Sequence, residues 1–384
     1  MKAAVLGYGT VGAGVYSMLS DAPGMEAGPV LVRPGKAVEN FMVSDAALIF
    51  GDPTVDAVVE TLGGLDPAYS YGMRALEAGK HFITANKAMV AAHGLELAAL
   101  AREKGAAFLF SAACGGGVPF LHNLALSAET NRIETVSGIL NGTTNYMLDA
   151  MQRRGLSYGD ALREAQSLGY AESDPTADVS GLDALRKMQL ACAVAFGVLP
   201  QSGMLCEGME HFTAADVEDI QSRGLVCRLM ARGSRAEESV SAYVEPVLFP
   251  RAAPESSVFT NNNMARYTGK RCGSIVLMGQ GAGRFPTASA VLRDLSAAQQ
   301  GARSMFPENC RAAEADNREA VHSYYIRTGG FAAVRLPLRS VLAQGEVVRA
   351  VTEPMSAEKM HALAQNIRKD GNELFFAALE EELC

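Results

Sequence analysis

Residues 2–12 read KAAVLGYGTVG, a short apolar run that leads directly into three glycines spaced as G-x-G-x-x-G. The apolar-periodic segment Val11–Leu19 follows, so the order predicts a strand, a tight turn and a helix. In this pattern Gly7 permits the turn, Gly9 lets the backbone approach a pyrophosphate, and Gly12 lets the helix pack on the strand. The helix N-terminus then faces the anion. The stretch therefore predicts a dinucleotide-binding α/β fold, with an ordinary glycine-rich turn as the alternative.

Further apolar runs predict four more parallel strands, and helical patterns lie between them. The predicted strands are Pro29–Val32, Val55–Glu60, His81–Thr84 and Ala107–Ser111, and the predicted helices are Ala68–Ala78 and Leu95–Lys104. Ligands bind at the carboxyl ends of the strands in an open parallel sheet. Lys87, just past the fourth strand, is therefore placed to meet a substrate or a nicotinamide, although a lysine in this position is often merely exposed.

The end of the second strand indicates which dinucleotide is bound. No acid follows this strand; Arg33 and Lys36 do. A cationic pair here favours the 2′-phosphate of NADP over the free ribose hydroxyl of NAD. We therefore expect NADP(H), with NAD(H) as a possible cofactor and a solvated basic loop as the alternative interpretation.

Composition narrows the class of protein. A chain of 384 residues with 48% hydrophobic and 20% charged residues predicts two or three globular domains. A net charge of −8 argues against binding to nucleic acid or to an anionic membrane. The apolar stretch near Leu190–Pro200 is too short to span a bilayer, and the N-terminus lacks a leader pattern. Seven cysteines without a C-x-x-C pair fit reduced thiols, and six scattered histidines make a zinc site unlikely. We expect a cytoplasmic protein.

Two segments in the middle of the chain carry polar groups suited to a small substrate. A predicted strand, Arg132–Leu140, runs into NGTTNY at 141–146, a turn that can cradle a carboxylate or an amino-acid head group, or simply cap a helix. After a predicted helix at Tyr158–Leu168, residues 169–187 read GYAESDPTADVSGLDALRK. If this segment is helical from Val179, Asp183 and Lys187 stand one turn apart, where the acid can orient the amine; the alternative is a surface ion pair.

A glycine-rich loop follows the fifth predicted strand. Residues 111–119 read SAACGGGVP, and three glycines with a proline demand unusual backbone angles and expose carbonyl groups. Such a loop can coordinate a hard cation through main-chain oxygens, or it can be a plain crossover between domains.

These motifs together resemble homoserine dehydrogenase, in the family's order and over about residues 1–300. The pieces are GYGTVG (7–12), VVETLGG (58–64), AGKHFITANKA (78–88), GGGVP (115–119), GILNGTTNY (138–146), GYAESDPTADVSGLDALRK (169–187) and GQGAGRFPTASAV (279–291). The resemblance implies NAD(P)-dependent interconversion of L-homoserine and L-aspartate 4-semialdehyde, in the threonine and methionine branch of amino-acid synthesis. The alternatives are another reductase of a small amino-acid aldehyde or keto acid, and a non-catalytic NADP-binding sensor.

The resemblance also implies roles for individual residues. Lys187 is the expected acid/base, with Asp183 and Lys87 beside it as catalytic residues. Substrate binding is assigned to Glu172, Asp183, Gly142, Thr143 and Asp178, the last of which also shapes the turn. Cofactor binding is assigned to Gly7, Gly9, Thr10, Val11, Gly12, Arg33, Thr61, Asn86, Lys87, Gly169, Gly281 and Gly283. A sodium or potassium ion would bind main-chain carbonyls of Cys114, Gly116 and Val118, although Ser111 stands where the family usually has glutamate.

The expected organisation is a Rossmann-type doubly wound sheet and an α+β domain. The predicted boundaries are 1–130 for the nucleotide domain, completed by about 285–310, and 131–284 for the substrate and dimerisation domain. Strand-like runs such as Val240–Leu248 favour a homodimer or a higher homo-oligomer.

The end of the chain departs from the family pattern. A helix at Phe285–Leu295 and a polar, helix-prone link to about Arg318 are expected. Residues 322–327 resemble the first strand of an ACT domain, but the effector-binding turn is absent, so 319–384 is expected to be a truncated ACT-like region. A helix at Ala357–Asn366 and a strand at Glu373–Ala378 would complete it, with feedback inhibition by threonine as a weak hypothesis.

Overall fold

A computed structural model of the chain describes residues 1–237, 239–333 and 335–380, which fall into two compact units. The first unit comprises Met1–Arg132, Gln189–Leu199 and Gly279–Arg311. The second comprises Ile133–Met188, Pro200–Met278 and the described residues from Ala312 onward.

The first unit is built on a six-stranded parallel sheet. Its elements up to residue 132 are β1 (Lys2–Leu6), α1 (Thr10–Leu19), β2 (Glu26–Leu31), β3 (Met42–Val43), α2 (Ala47–Phe50), β4 (Ala57–Glu60), α3 (Ala68–Glu77), β5 (His81–Thr84), α4 (Lys87–Lys104), β6 (Phe108–Leu109), a 3₁₀ turn (Ser111–Ala113) and α5 (Phe120–Thr130). The strand order, β3-β2-β1-β4-β5-β6, is that of dinucleotide-binding folds. The Rossmann-type fold class is therefore confirmed.

Helix α4 begins earlier than the sequence pattern predicts. It starts at Lys87 and not at Leu95, because the Asn86 side chain caps it by accepting the Met89 N–H. Gly94 does not interrupt the helix; a Cβ there would lie 2.8 Å from the Phe306 ring. The glycine therefore serves close packing.

The rest of the chain builds the second unit and returns twice to the first, at Gln189–Leu199 and at Gly279–Arg311. Its elements in chain order are β7 (Ile133–Ile139), α6 (Gly142–Arg154), α7 (Tyr158–Ser167), α8 (Thr176–Val179), α9 (Leu182–Phe196), β8 (Val198–Ser202), β9 (Leu205–Cys206), α10 (Ala214–Ser222), β10 (Leu225–Ala236), β11 (Ser239–Pro250), a 3₁₀ turn (Pro254–Ser257), β12 (Asn262–Gly269), β13 (Gly273–Gln280), α11 (Arg284–Gln299), β14 (Arg311–Glu314), β15 (Val321–His322), β16 (Tyr324–Gly329), α12 (Gly330–Ala333), β17 (Leu338–Ala343), β18 (Val347–Thr352), β19 (Met355–Ser356), α13 (Ala357–Lys369) and β20 (Leu374–Leu379).

A large mixed sheet forms the second unit. Its strand order is β13-β12-β7-β10-β11-β20-β16-β18-β17, with β9 paired to β11. The twelve-residue strands β10 and β11 pair antiparallel along their whole length. Strand β7 lies between β12 and β10, so its position is fixed from both sides. The residues that follow β7, which carry the predicted substrate turn, therefore leave the sheet from a well-supported strand.

The C-terminal part extends the same sheet. Apart from the two-residue strands β15 and β19, which pair with each other, its order of elements is β16-α12-β17-β18-α13-β20, a β-α-β-β-α-β arrangement. Strand β20 pairs parallel with β11. Buried Arg327 donates to Asp216 at 2.7 Å, and Arg368 contacts Glu207 at 2.7 Å. Contacts of this kind place the region from Ala312 within the second unit.

The prediction of a helix-prone link through about Arg318 is wrong. Helix α11 ends at Gln299, and Gly301 follows with a φ of +101°, which a helix does not allow. The chain then forms β14, which pairs with β8.

Candidate active site

The Asp183–Lys187 pair forms as the spacing predicts. Both residues lie in the first turns of α9, and Lys187 Nζ is 2.7 Å from Asp183 Oδ2. Each side chain is only 12% exposed, which separates this pair from ordinary surface ion pairs. The Lys187 ammonium also donates to the main-chain carbonyl of Leu140 at 2.6 Å. A carboxylate and a carbonyl thus hold the amine in one place.

The turn after β7 reaches the same pair through Asn141. This side chain is 5% exposed, and its Nδ2 donates to Asp183 Oδ2 at 2.9 Å and to Asp178 Oδ1 at 2.7 Å. Its Oδ1 accepts the Thr144 N–H at 2.9 Å, which caps α6. The end of β7 therefore contacts both the acid and the lysine of the pair.

Thr143 and Asp178 extend this network. The buried Thr143 hydroxyl donates to the Tyr170 carbonyl at 2.6 Å and lies 3.0 Å from Asp178 Oδ2. Gly142 begins α6, and a Cβ there would lie 2.8 Å from the Asn261 carbonyl oxygen. The structure thus brings together Gly142, Thr143, Asp178, Asp183 and Lys187 within the second unit.

The acidic residues before α8 remain outside the network. Glu172 is exposed, and its carboxylate makes no hydrogen bond or ion pair within the described part of the chain. Asp174 accepts the N–H and hydroxyl of Thr176, and the hydroxyl bond lowers the pKa of this carboxyl. Asp174 therefore shapes the start of α8, whereas Glu172 is available to a ligand.

The glycine turn of the first unit has the geometry that the sequence predicts. A Cβ at Gly12 would lie 2.2 Å from the Gly7 carbonyl oxygen and 2.7 Å from Thr61 Oγ1, so strand and helix can meet only at a glycine. Gly9 is the N-cap of α1 and offers no side chain to the first-turn N–H groups, which include those of Thr10 and Val11. This uncapped helix end fits a pyrophosphate.

Arg33 and Lys36 follow β2 at an exposed turn. The Lys36 N–H donates to the Arg33 carbonyl at 3.0 Å, and both residues are exposed. Neither side chain forms a hydrogen bond or ion pair with another described residue. Two uncommitted cations thus lie at the strand end that distinguishes NAD from NADP in this fold.

A buried carboxylate that the sequence reasoning missed organises the next two strand ends. Glu60, which is fully buried, accepts the Leu62 N–H at 2.6 Å and the Thr84 hydroxyl at 2.5 Å. Thr84 Oγ1 accepts the Asn86 N–H at 2.9 Å, and Asn86 Nδ2 donates to the Gly64 carbonyl at 2.6 Å. One acid therefore joins the loop after β4 to the start of α4, where Lys87 lies.

The remaining cofactor candidates lie in two places. Gly281 and Gly283 belong to the first unit, where Gly283 has a φ of +118° and is the N-cap of α11. Gly169 belongs to the second unit, where it follows α7 with a φ of +74°. The other predicted cofactor residues lie in the first unit, as does Lys87.

The predicted cation loop is closely packed. Gly116 has a φ of +51°, and a Cβ there would lie 2.5 Å from Gly281. The Val118 carbonyl accepts the Phe120 N–H at 2.7 Å, and Cys114 and Val118 are buried. At the start of the loop, the Ser111 N–H donates to Asp294 at 2.7 Å.

Asp294 is the second buried acid that the sequence reasoning missed. It is 1% exposed, and burial raises its pKa to about 7. Its Oδ1 has no hydrogen-bond partner within the described residues. In the sequence, the signal for this buried acid is its position at helical spacing among the apolar residues of the predicted helix Phe285–Leu295.

Metal-ligating clusters and activated cysteines are the other common kinds of catalytic site. No group of three or more His, Cys, Asp or Glu side chains that could hold a metal occurs there. Burial raises the pKa of the Cys227 and Cys206 thiols to about 12 and that of Cys310 to about 11, so these are poor nucleophiles at neutral pH. No helix in the described ranges is long and apolar enough to cross a membrane.

The chain is similar in sequence to known proteins. Residues 7–111 match the family model of the homoserine dehydrogenase NAD-binding domain, and residues 119–296 match that of homoserine dehydrogenase. The homoserine dehydrogenase of Synechocystis sp. is 37% identical over 319 residues, covering 77% of this chain and 72% of that protein. The enzyme from Corynebacterium glutamicum is 38% identical over 313 residues, covering 76% and 70%.

Solved structures agree over nearly the whole chain. A homoserine dehydrogenase from Thiobacillus denitrificans superposes with a TM-score of 0.87 at 29% identity, covering 99% of this chain and 98% of that one. The S. aureus homoserine dehydrogenase at pH 8.5 has a TM-score of 0.77 at 27% identity, covering 99% of both chains. With this identity, coverage and dinucleotide-binding sheet, the chain belongs to the homoserine dehydrogenase family of oxidoreductases.

Proposed function

We propose that Lys187 carries the proton in the interconversion of L-homoserine and L-aspartate 4-semialdehyde by this chain. The observation that carries the proposal is the partly buried Lys187 ammonium, held at 2.7 Å by Asp183 and at 2.6 Å by the Leu140 carbonyl. Both partners are acceptors, the complement of an ammonium group. These two contacts fix the position of the amine, although the lysine side chain that carries it is long and flexible.

The proton and the hydride move separately. A nicotinamide dinucleotide, held at the glycine turn of Gly7, Gly9 and Gly12, would supply the hydride chemistry when bound. Lys187, as an amine, takes the hydroxyl proton in oxidation; as an ammonium, it protonates the carbonyl oxygen in reduction. Asp183 orients Lys187 and binds the hydroxyl end of the substrate, and Lys87 is a second cation for the reacting centre.

Glu172 is proposed to bind the substrate ammonium. Its carboxylate is exposed and has no partner among the described residues. A ligand can therefore pair with it without breaking an existing contact. Gly142, Thr143 and Asp178 lie in the network around Asp183 and are proposed to line the rest of the substrate site.

NADP(H) is the proposed cofactor, with NAD(H) as a weaker one. The exposed Arg33 and Lys36 can pair with a 2′-phosphate, while Gly7, Gly9, Gly12, Thr61 and Asn86 shape the surface next to it. Arg33→Ala should therefore raise the KM of NADPH more than that of NADH. Equal effects on the two cofactors would exclude a phosphate clamp.

A monovalent cation is a further proposal. Carbonyl groups of Cys114, Gly116 and Val118 are the ligands that sodium or potassium prefers, and the uncharged Ser111 supplies no acid. Asp294, which contacts the Ser111 N–H and has an unpartnered oxygen, is the acid that the loop retains nearby.

The assembly and its regulation are also proposals. Strand β13 is an edge of the large sheet and exposes Val276 and Met278, which favours pairing with a second copy, most simply in a homodimer. The C-terminal β-α-β-β-α-β arrangement supports an ACT-like origin, and threonine is the candidate effector. The described cysteines, three buried and three partly buried, form no disulfide with one another, which supports a cytoplasmic location.

The test is NADPH oxidation with aspartate 4-semialdehyde and, in parallel, with succinic semialdehyde, which lacks the ammonium group. We expect turnover of the first and at least about 100-fold lower kcat/KM for the second, since a charged hydrogen-bonded contact is lost. Glu172→Gln should reduce this discrimination. Equal turnover of both aldehydes would favour a different reductase, and NADPH binding without turnover would favour a sensor.

A further inference from the structure

The Asn141 side chain has all of its hydrogen-bonding groups engaged at the proposed active site. Its two Nδ2 protons go to Asp178 at 2.7 Å and Asp183 at 2.9 Å. Its Oδ1 accepts from the N–H of Thr144 at 2.9 Å and from the Thr144 hydroxyl at 3.0 Å. A flipped amide would set its oxygen against two carboxylates, so the contacts fix one orientation.

The backbone on either side of Asn141 reinforces this arrangement. The preceding carbonyl, that of Leu140, accepts from Lys187 at 2.6 Å, while Asn141 itself holds Asp183. With the 2.7 Å ion pair, the four residues close a ring in which acid and lysine are each attached to the end of β7. Strand β7 is paired on both sides, so the ring rests on a rigid element.

Asn141 also keeps two acids close together. Asp178 and Asp183 come from different helices, α8 and α9, and their like charges repel. One amide group that donates to both offsets this repulsion and fixes the rotamers of both carboxylates. No other residue type of similar size supplies two donors and two acceptors in this geometry.

We propose that Asn141 is a positioning residue for the reaction, one that fixes Asp183 against Lys187 and couples it to Asp178. The inference rests on the proposed function of Lys187. Asn141 acts through Asp183 and is not itself an acid, a base or a substrate ligand.

The chain offers a variant that separates positioning from helix capping. Serine and aspartate cap helices about as well as asparagine, so Asn141→Ser and Asn141→Asp retain an acceptor for the Thr144 N–H. Asn141→Ser replaces the two amide N–H donors by a single hydroxyl on a shorter side chain, so it cannot donate to both acids. Asn141→Asp removes both donors and adds a third carboxylate to the cluster. We expect kcat to fall about 10- to 100-fold in Asn141→Ser, and further in Asn141→Asp, since small displacements of reacting groups are costly. The KM of NADPH should not change.

Asn145 provides the matched control. It lies one turn along the same helix, is 1% exposed, and its Nδ2 donates to three carbonyls, those of Val258, Thr260 and Asn262, at 3.0–3.1 Å. Within the described part of the chain, its side chain forms no hydrogen bond with Asp183, Lys187 or Lys87. Asn145→Ser should lower the melting temperature while kcat stays within about twofold of wild type.

The experiment measures kcat, both KM values and melting temperatures of the wild-type chain, these three variants and Lys187→Ala. The proposal is supported if Asn141→Ser loses kcat with a near-native melting temperature and Asn145→Ser does not lose it. It is overturned if Asn141→Ser keeps kcat within twofold of wild type, or if Asn145→Ser loses as much. Failure of the proposed function is a separate result: the wild type would not turn over, or Lys187→Ala would stay active.

Discussion

At the scale of single residues, the Asp183–Lys187 pair is held by groups from a distant part of the chain, the Leu140 carbonyl and the Asn141 amide. Asp183 and Lys187 are four residues apart on one helix, so their contact follows from helix geometry alone. The hydrogen bonds that the Leu140 carbonyl accepts and the Asn141 amide donates join segments more than 35 residues apart in the chain. These segments also bury the pair. No local pattern encodes such contacts, and the NGTTNY turn by itself indicates only a helix cap.

The buried acid Asp294 gives a prediction about pH. Because its pKa is raised from 3.8 to about 7, the folded chain holds a proton that the unfolded chain releases between these values. Ionisation of Asp294 thus removes up to about 4 kcal/mol of stability as pH rises from about 4 to 7. Asn at this position cannot ionise and can still accept the Ser111 N–H.

The free energy of unfolding of Asp294→Asn should therefore exceed that of the wild type by an amount that grows up to about pH 7 and is constant above it. Urea unfolding of both proteins at several pH values between 5 and 8 measures the gap. A gap that does not depend on pH would show that Asp294 does not titrate in this range.

At the scale of elements, apolar runs and glycine patterns predicted most strands and helices. Lys2–Leu6 and His81–Thr84 form strands with the bounds expected from sequence. The errors arose where tertiary contacts replace local signals. Helix α4 starts eight residues early because Asn86 caps it. The helical region predicted to continue to about Arg318 ends at Gln299, just before Gly301 with its positive φ.

The prediction at this scale concerns Glu60, whose single carboxylate holds the loops after β4 and β5. Glutamine has one acceptor oxygen and no charge, so Glu60→Gln can keep the Leu62 N–H only by turning its NH2 group toward Thr84, whose hydroxyl must then accept instead of donate. The loops that carry Thr61 and Asn86 should lose order. We expect the KM of NADPH to rise about tenfold, equivalent to about 1.4 kcal/mol, with the KM of the semialdehyde little changed.

Steady-state kinetics with each substrate varied in turn provides the check. Thr84→Val is a useful companion, since it keeps the Glu60 carboxylate and removes both hydrogen bonds of the Thr84 hydroxyl, the one to Glu60 and the one from the Asn86 N–H. An unchanged KM of NADPH in Glu60→Gln would mean that the carboxylate supports the sheet and not the cofactor site.

At the scale of the whole molecule, the C-terminal region forms part of the second unit. Strand β20 pairs with β11 and β16, and it buries Phe375 and Phe376. Its resemblance to an effector domain predicted a small additional segment; the sequence could not show that this segment shares a sheet with the middle of the chain, because the pairing of distant strands leaves no local trace.

A chain ending at residue 318 should therefore lose cooperative unfolding and activity together. Removal of β16 and β20 would expose the apolar face of β11 and leave buried Asp216 without Arg327. Circular dichroism during heating and the turnover rate test this. A truncated chain that unfolds cooperatively and retains wild-type turnover would instead indicate a detachable regulatory module.

The kcat of Lys187→Ala in NADPH-dependent reduction of aspartate 4-semialdehyde tests the central claim most directly, with the melting temperature measured on the same sample. Loss of a positioned acid/base typically lowers a rate about 10²- to 10⁴-fold, and we predict a loss of this size in a variant that remains folded and binds NADPH. A folded Lys187→Ala variant that keeps kcat within tenfold of the wild type would contradict the assignment of Lys187 as the group that transfers the proton.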